Sequence, residues 1–204
     1  RVELWDDRPR LGGRLRLAAV PPHKARYGEA CDYLEREIRK LGVDIHLNAA
    51  VTEVELDSRK PDAVILATGS VPFVPPIQGL SGGGAVLVDD VLEGRAPVGR
   101  RVAIIGGGAI GAETAHLLVE EEDREVYLIE MRDGIAVDLP QDARICLLHA
   151  FEQTPSLHQI TNAKVTAVTP ESITLERQGQ TEVVDRLDTI ILAVGARPNQ
   201  GLRP

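Results

Sequence analysis

Short apolar runs and helically spaced apolar residues follow one another along the chain, and their order predicts an α/β protein. Residues 2–5 read as a strand, followed by a turn-rich stretch through Pro9, Gly12 and Gly13. After Pro21-Pro22, apolar residues recur at helical spacing from Ala30 through Tyr33, Leu34, Ile38 and Leu41. Arg39 and Lys40 in the last turn, with Gly42 after it, supply the chemistry of a helix C-terminus. Strands are predicted at 43–47 and 51–56, then a buried run at 63–67 that ends in Thr68-Gly69. The glycine-rich stretch 79–84 reads as a connector between lobes. Beyond it the pattern predicts a strand at 102–105, a helix from 110 to about 121 and a strand at 126–129. A helix at 142–151, a meander of short strands and a last strand at 189–194 complete the chain.

Gly106-Gly107-Gly108-Ala109-Ile110-Gly111 falls between the apolar strand and the helix. A GxGxxG pattern alone is weak in a chain with 19 glycines. Here an acid, Glu130, ends the next strand 19 residues beyond Gly111, which is the spacing of a dinucleotide-binding βαβ unit. Gly106 permits the tight turn, Gly108 admits the pyrophosphate to the backbone, and Gly111 lets the helix approach the strand. The helix N-terminus offers free N–H groups and partial positive charge to phosphate. Glu130 can accept from both ribose hydroxyls and repels a 2′-phosphate, so within Glu130-Met131-Arg132 the acid favours NAD(H) over NADP(H), while Arg132 pulls the other way. Arg132 is either a surface arginine or a partner for a 2′-phosphate. Glu113, on the first turn of the helix, either complements the dipole or contacts the nicotinamide end of the cofactor.

The formal charge of −8 and the scattered Lys and Arg exclude a nucleic-acid partner. The most apolar stretch, 102–119, carries four glycines, Glu113 and His116, and is not expected to lie in a membrane. Cys31 and Cys146 form no CxxC pair, and the histidines show no metal spacing. No nucleophile–base arrangement for hydrolysis is visible. The opening Arg1-Val2-Glu3-Leu4-Trp5 reads as a strand and not as an export signal, which predicts a cytoplasmic piece of a longer polypeptide.

The two halves repeat each other. Val2-Glu3-Leu4-Trp5-Asp6 matches Val126-Tyr127-Leu128-Ile129-Glu130. Asn48, Val51, Thr52 and Val54 recur as Asn162, Val165, Thr166 and Val168. Asp62, Ile65, Leu66, Ala67, Gly69 and Pro72 recur as Asp188, Ile191, Leu192, Ala193, Gly195 and Pro198. Three blocks in one order point to duplication. Asp6 then occupies the position of Glu130 and is expected at the ribose of a second dinucleotide, with Asp7 as the lesser candidate. Ala67-Thr68-Gly69, like the strand end at Gly195, is expected to bring backbone against a ligand. No counterpart of the first strand, glycine turn and helix stands before Val2, so the first sheet is expected to expose its centre and to offer edges for self-association.

These motifs, with Leu11-Gly12-Gly13, Pro21-Pro22-His23-Lys24, Asp142-Ala143-Arg144 and Ala193-Val194-Gly195-Ala196-Arg197-Pro198-Asn199, make the chain resemble one family. It resembles the C-terminal half of the 2,4-dienoyl-CoA reductase and NADH:flavin oxidoreductase (trimethylamine dehydrogenase-like) family. The resemblance implies a larger enzyme whose N-terminal barrel holds FMN, a 4Fe-4S cluster and the substrate site. It also implies a glutathione-reductase-like pair of Rossmann-like domains for FAD and NAD(P)H, with electrons passing from NAD(P)H to FAD and on to the cluster and FMN. Gly106, Gly108, Gly111 and Glu130 would hold the nicotinamide dinucleotide, and Asp6 with Ala67 to Gly69 the adenosine side of FAD. The family's first glycine motif and its closing Gly-Asp segment are not in the chain, and Asp123 replaces a helix-ending glycine. The expected division is a partial FAD domain with connector over 1–98 and an NAD(P) domain over 99–204. The expected function is a fragment of an NAD(P)H-dependent flavin oxidoreductase, inactive alone and with no catalytic side chain of its own; the alternative is a non-catalytic dinucleotide-binding regulatory module.

Overall fold

The computed structural model describes residues 1–80, 83–121 and 123–202. Ser81 and Gly82 of the predicted connector and Glu122 of the acidic run lie outside the described residues. Two compact units emerge, one of residues 1–71 with 197 onward, the other of residues 72–196. Residues 72–98, expected with the first domain, therefore cluster with the second. The cause is a strand the sequence pattern did not reveal, Val86–Leu87, which pairs in parallel with the last strand of the second sheet.

In the first unit, β1 (Glu3–Trp5) leads into α1 (Gly13–Leu17) and α2 (Ala25–Lys40), and β2 (Asp44–His46) returns parallel to β1. The helix expected from Ala30 thus begins five residues earlier, and α1 lies where only turns were expected. Residues 51–56 are not a strand. Thr52 caps α3 (Glu53–Arg59), its hydroxyl accepting from the Glu55 N–H at 3.3 Å while the Glu55 carboxylate accepts from the Thr52 N–H at 2.9 Å. This reciprocal capping box outweighs the β-branched character of Val51, Thr52 and Val54. Residues 63–67 form no strand and are exposed, Ile65 at 92%. Tyr33, Leu34 and Leu41, the apolar stripe of α2, are exposed as well.

After β3 (Ser70–Pro72), the second unit contains β4 (Val86–Leu87), α4 (Val88–Leu92), β5 (Arg101–Ile105), α5 (Ala109–Val119), β6 (Glu125–Ile129) and α6 (Gln141–Glu152). It continues with β7 (Leu157–Ile160), β8 (Ala163–Thr169), β9 (Ser172–Arg177), β10 (Gln180–Val184) and β11 (Thr189–Leu192); β12 (Ala196–Pro198) then pairs with β3. Five strands form a parallel sheet in the order β4-β11-β5-β6-β7, and β8, β9 and β10 make the expected antiparallel meander. The strand period of two sends Ala103, Ile105, Ile129, Ile190 and Leu192 to one face. There they join Val165, Val168, Ile173 and Leu175 of the meander in one buried core. The opposite face carries Val102, Ile104, Val126 and Leu128, all fully buried, under α5. Beyond α5, Asp123 adopts the left-handed conformation (φ 69°) expected of the residue replacing a helix-ending glycine.

Burial separates the two units energetically. Leu175→Ala in the closed core is expected to cost about 2–5 kcal/mol, whereas Leu34→Ala on α2 changes stability by less than about 0.5 kcal/mol. Urea unfolding followed by circular dichroism checks both; equal losses would contradict the contrast.

Candidate dinucleotide site

Strand β5 ends at Ile105, and the chain reverses through Gly106 to Gly108 before α5 begins. Gly106 is left-handed (φ 107°), and a Cβ there would lie 2.5 Å from the Ala193 carbonyl oxygen. A Cβ on Gly111 would overlap the carbonyl oxygen of Gly106. Both positions therefore require glycine, one for conformation and one for close approach of helix to turn.

Glu130 closes this turn from the end of β6. Its Oε2 accepts from the Gly107 N–H at 2.8 Å, and its Oε1 accepts from the Arg132 N–H at 2.9 Å and from Arg132 Nε at 3.2 Å. Its own backbone N–H donates to Ile160 O at the end of β7, and its carbonyl accepts from the Ala163 N–H at the start of β8. Burial pushes the Glu130 carboxyl up, but the N–H groups of Arg132 and Gly107 and the Arg132 guanidinium outweigh it and hold the acid below its usual range. A buried, ionised carboxylate thus stands at the mouth of the glycine turn, where a ribose hydroxyl can donate to it.

Among the other candidates, Gly107, Gly111 and Glu113 are buried, Gly108 and Ala109 are half-buried, and Ile110, Met131, Arg132 and Gly195 are exposed. Gly195 is left-handed (φ 99°) and lies two residues past Ala193, whose carbonyl leaves no room for a side chain on Gly106.

The first unit reproduces the backbone frame around the acid. The Asp6 N–H donates to His46 O, and Ala49 N–H donates to Asp6 O, as Glu130 and Ala163 do in the second unit. Asn48 N–H donates to Arg8 O and Asn162 N–H to Arg132 O, with both asparagines left-handed (φ 52° and 53°). The Arg8 N–H donates to Asp6 Oδ1 at 2.9 Å, matching Arg132 and Glu130. What Glu130 has and Asp6 lacks among the described residues is a glycine turn. Asp7 is exposed. Ala67, Thr68 and Gly69 are also exposed and line a cleft with Leu66, Pro198, Asn199 and Leu202. Asn199 is held there by its N–H to Gly69 O (2.9 Å), by its Nδ2 to Thr68 O (3.4 Å), and by the Thr68 hydroxyl donating to Asn199 O (3.2 Å).

One part of the site escaped the sequence analysis. Residues 131–140 fold over the glycine turn: the Ala136 N–H donates to Gly107 O at 2.7 Å, and Asp138 Oδ1 accepts from the Ala109 N–H at 2.8 Å. Ile135 and Ala136 are buried by this contact. No periodicity announces it, because the partners lie 29 residues apart and Asp138 belongs to no helix or strand.

Over residues 57–203 the sequence matches the pyridine nucleotide-disulphide oxidoreductase family. The chain belongs to this family. Its relatives include a bilirubin reductase of Mediterraneibacter gnavus, 36% identical across 97% of this chain and 30% of that protein. An NADH oxidase of Thermoanaerobacter brockii is 31% identical across 97% of this chain and 31% of its own length. Among solved structures, a 2-naphthoyl-CoA reductase in complex with 2-naphthoyl-CoA superimposes with a TM-score of 0.91 at 25% identity, covering 98% of this chain and 30% of that one. These similarities bear out the resemblance read from the motifs. The chain spans about a third of the length of the curated relatives it matches. In this pyridine nucleotide-disulphide oxidoreductase chain, Cys31 is buried in the first unit and Cys146 is exposed in the second, both as free thiols.

The ionised state of Glu130 has a consequence for stability. Its pKa is depressed in the folded protein, so its contribution is fully present above the unfolded value of about 4.3 and is lost as pH falls through the lower folded value. Glu130→Gln is expected to be less stable than wild type at pH 7, by about 1–3 kcal/mol, with the gap closing below about pH 4. Denaturant midpoints at pH 7, 5 and 3.5 measure this; a gap independent of pH would contradict it.

Proposed function

We propose that Gly106 to Gly111 and Glu130 hold the pyrophosphate and adenosine ribose of a nicotinamide dinucleotide, NAD(H) in preference to NADP(H). The chain then serves as the nicotinamide- and flavin-binding part of a larger flavin-dependent oxidoreductase. One observation carries this: an ionised, buried carboxylate clasped to the Gly107 N–H at the open end of a parallel sheet. In doubly wound sheets that position, outside the carboxyl ends of the strands, is where nucleotides bind. A 2′-phosphate there would meet the Glu130 charge. Arg132, committed to Glu130 through Nε and a backbone N–H, supports the acid more directly than it offers a phosphate site.

The residues fit a dinucleotide in the second unit and half of one in the first. Asp6 repeats the acid's backbone frame and Ala67 to Gly69 repeat the strand end, so we assign them to the adenosine side of FAD, completed by a glycine turn from elsewhere in the whole protein. The free edge of β1 and the exposed run 63–67 fit that reading, since in the second unit the corresponding strands β6 and β11 flank β5. Bound nicotinamide and flavin would supply the hydride transfer; the chain's residues bind and orient, and none acts as acid or base. FMN and the iron–sulfur cluster belong to a barrel outside this chain.

Calorimetric titration of the 204-residue chain with NADH, NADPH and FAD tests the assignment. NADH is expected to bind more tightly than NADPH, and Glu130→Ala to weaken NADH by tenfold or more, about 1.5–3 kcal/mol for hydrogen bonds to a charged group. FAD is expected to bind weakly or not at all. Tight FAD binding, or NADPH preferred over NADH, would mean the half-sites are wrongly assigned.

A further inference from the structure

The N-terminus of α5 already carries an anion. Asp138 Oδ1 accepts from the Ala109 N–H at 2.8 Å, the first free donor of the helix. Measured from where a Cβ on Gly108 would stand, Asp138 Oδ2 is 3.3 Å away, Oδ1 is 3.5 Å away and Arg132 Nη2 is 3.8 Å away. Both carboxylate oxygens therefore crowd the glycine whose missing side chain leaves room for pyrophosphate. Asp138 itself is exposed, and no element confines it.

The segment that delivers Asp138 is anchored beside it. Ala136 donates to Gly107 O, Leu139 donates to Ala136 O, and Arg144 Nε donates to Ile135 O at 2.8 Å. Ile135 lies over Gly107, with its Cδ1 2.6 Å from where a Cβ would be. Ala136 holds a left-handed φ of 52° to make these contacts. The strap thus places a negative charge where a glycine-turn site receives phosphate.

Resting on the dinucleotide reading above, we infer that Asp138 is an internal anion that competes with the pyrophosphate for the start of α5. Two anions cannot share the Ala109 N–H and the space over Gly108, and at contact distance they repel each other even at this exposed position. Phosphate therefore enters only when Asp138 swings out on the strap. Asp138 sets the affinity for the phosphate portion of the ligand and leaves the adenosine contacts at Glu130 untouched. Arg132 Nη2, which borders the same space over Gly108 as Asp138, leaves positive charge there for the phosphate once Asp138 has moved away.

Calorimetric titration of wild type, Asp138→Asn and Asp138→Ala with ADP-ribose and with adenosine tests this, circular dichroism confirming the fold of each. Removing the charge is expected to tighten ADP-ribose binding on the order of tenfold in both variants, with adenosine changed less than about twofold. ADP-ribose binding that is unchanged or weaker would overturn the inference. So would adenosine gaining as much as ADP-ribose, since that assigns the effect to loop opening and not to charge. If folded wild type and both variants bind neither ADP-ribose nor NADH, the dinucleotide reading itself falls, and the inference with it; wild-type binding without a gain in the variants overturns the inference alone.

Discussion

A carboxylate placed out of water must be paid for by donors, and Glu130 finds its donors in the two segments that define the site. The Gly107 N–H fixes the turn after β5, and the Arg132 N–H and guanidinium fix the chain leaving β6. Its backbone joins β6 to the end of β7. An unpaired buried charge costs several kcal/mol, so losing either set of donors would leave the acid unsatisfied. The close approach of Gly111 to Gly106 sets the other boundary, by pressing the helix N-terminus against the turn.

The same backbone frame recurs around Asp6, down to the left-handed asparagine and the arginine N–H that meets the carboxylate. There the frame lacks a glycine turn among the described residues, and the consequences are visible in packing. Val2, Tyr33, Leu34, Ile65 and Leu66 are exposed where their counterparts in a complete doubly wound unit would be covered. The second unit, by contrast, buries both faces of its sheet.

Most of the second unit was legible because its signals are local. The helix begins at Ala109 and the strand ends at Ile129, each within a residue of the positions set by Gly108 and Glu130. In the first unit the apolar run 63–67 reads as a buried strand because residues of that type are normally paired; among the described residues no strand pairs with it, and it stays irregular and exposed. Residues 51–56 carried two competing signals, the β-branched alternation and the Thr52–Glu55 capping box, and without a sheet partner the cap prevails. Strand β4 is only two residues long, too short to show a period. The Asp138 contact depends on tertiary geometry across 29 residues, which no spacing rule records.

The central claim is that the glycine turn and Glu130 act as one nucleotide-binding unit. Amide NMR of the isotopically labelled chain during titration with NADH tests it most directly. The account predicts that the Gly107, Gly108, Ala109 and Arg132 amides shift together along one saturating curve, while amides of the β8–β10 meander stay in place. Saturable binding that leaves these four amides unmoved would contradict it.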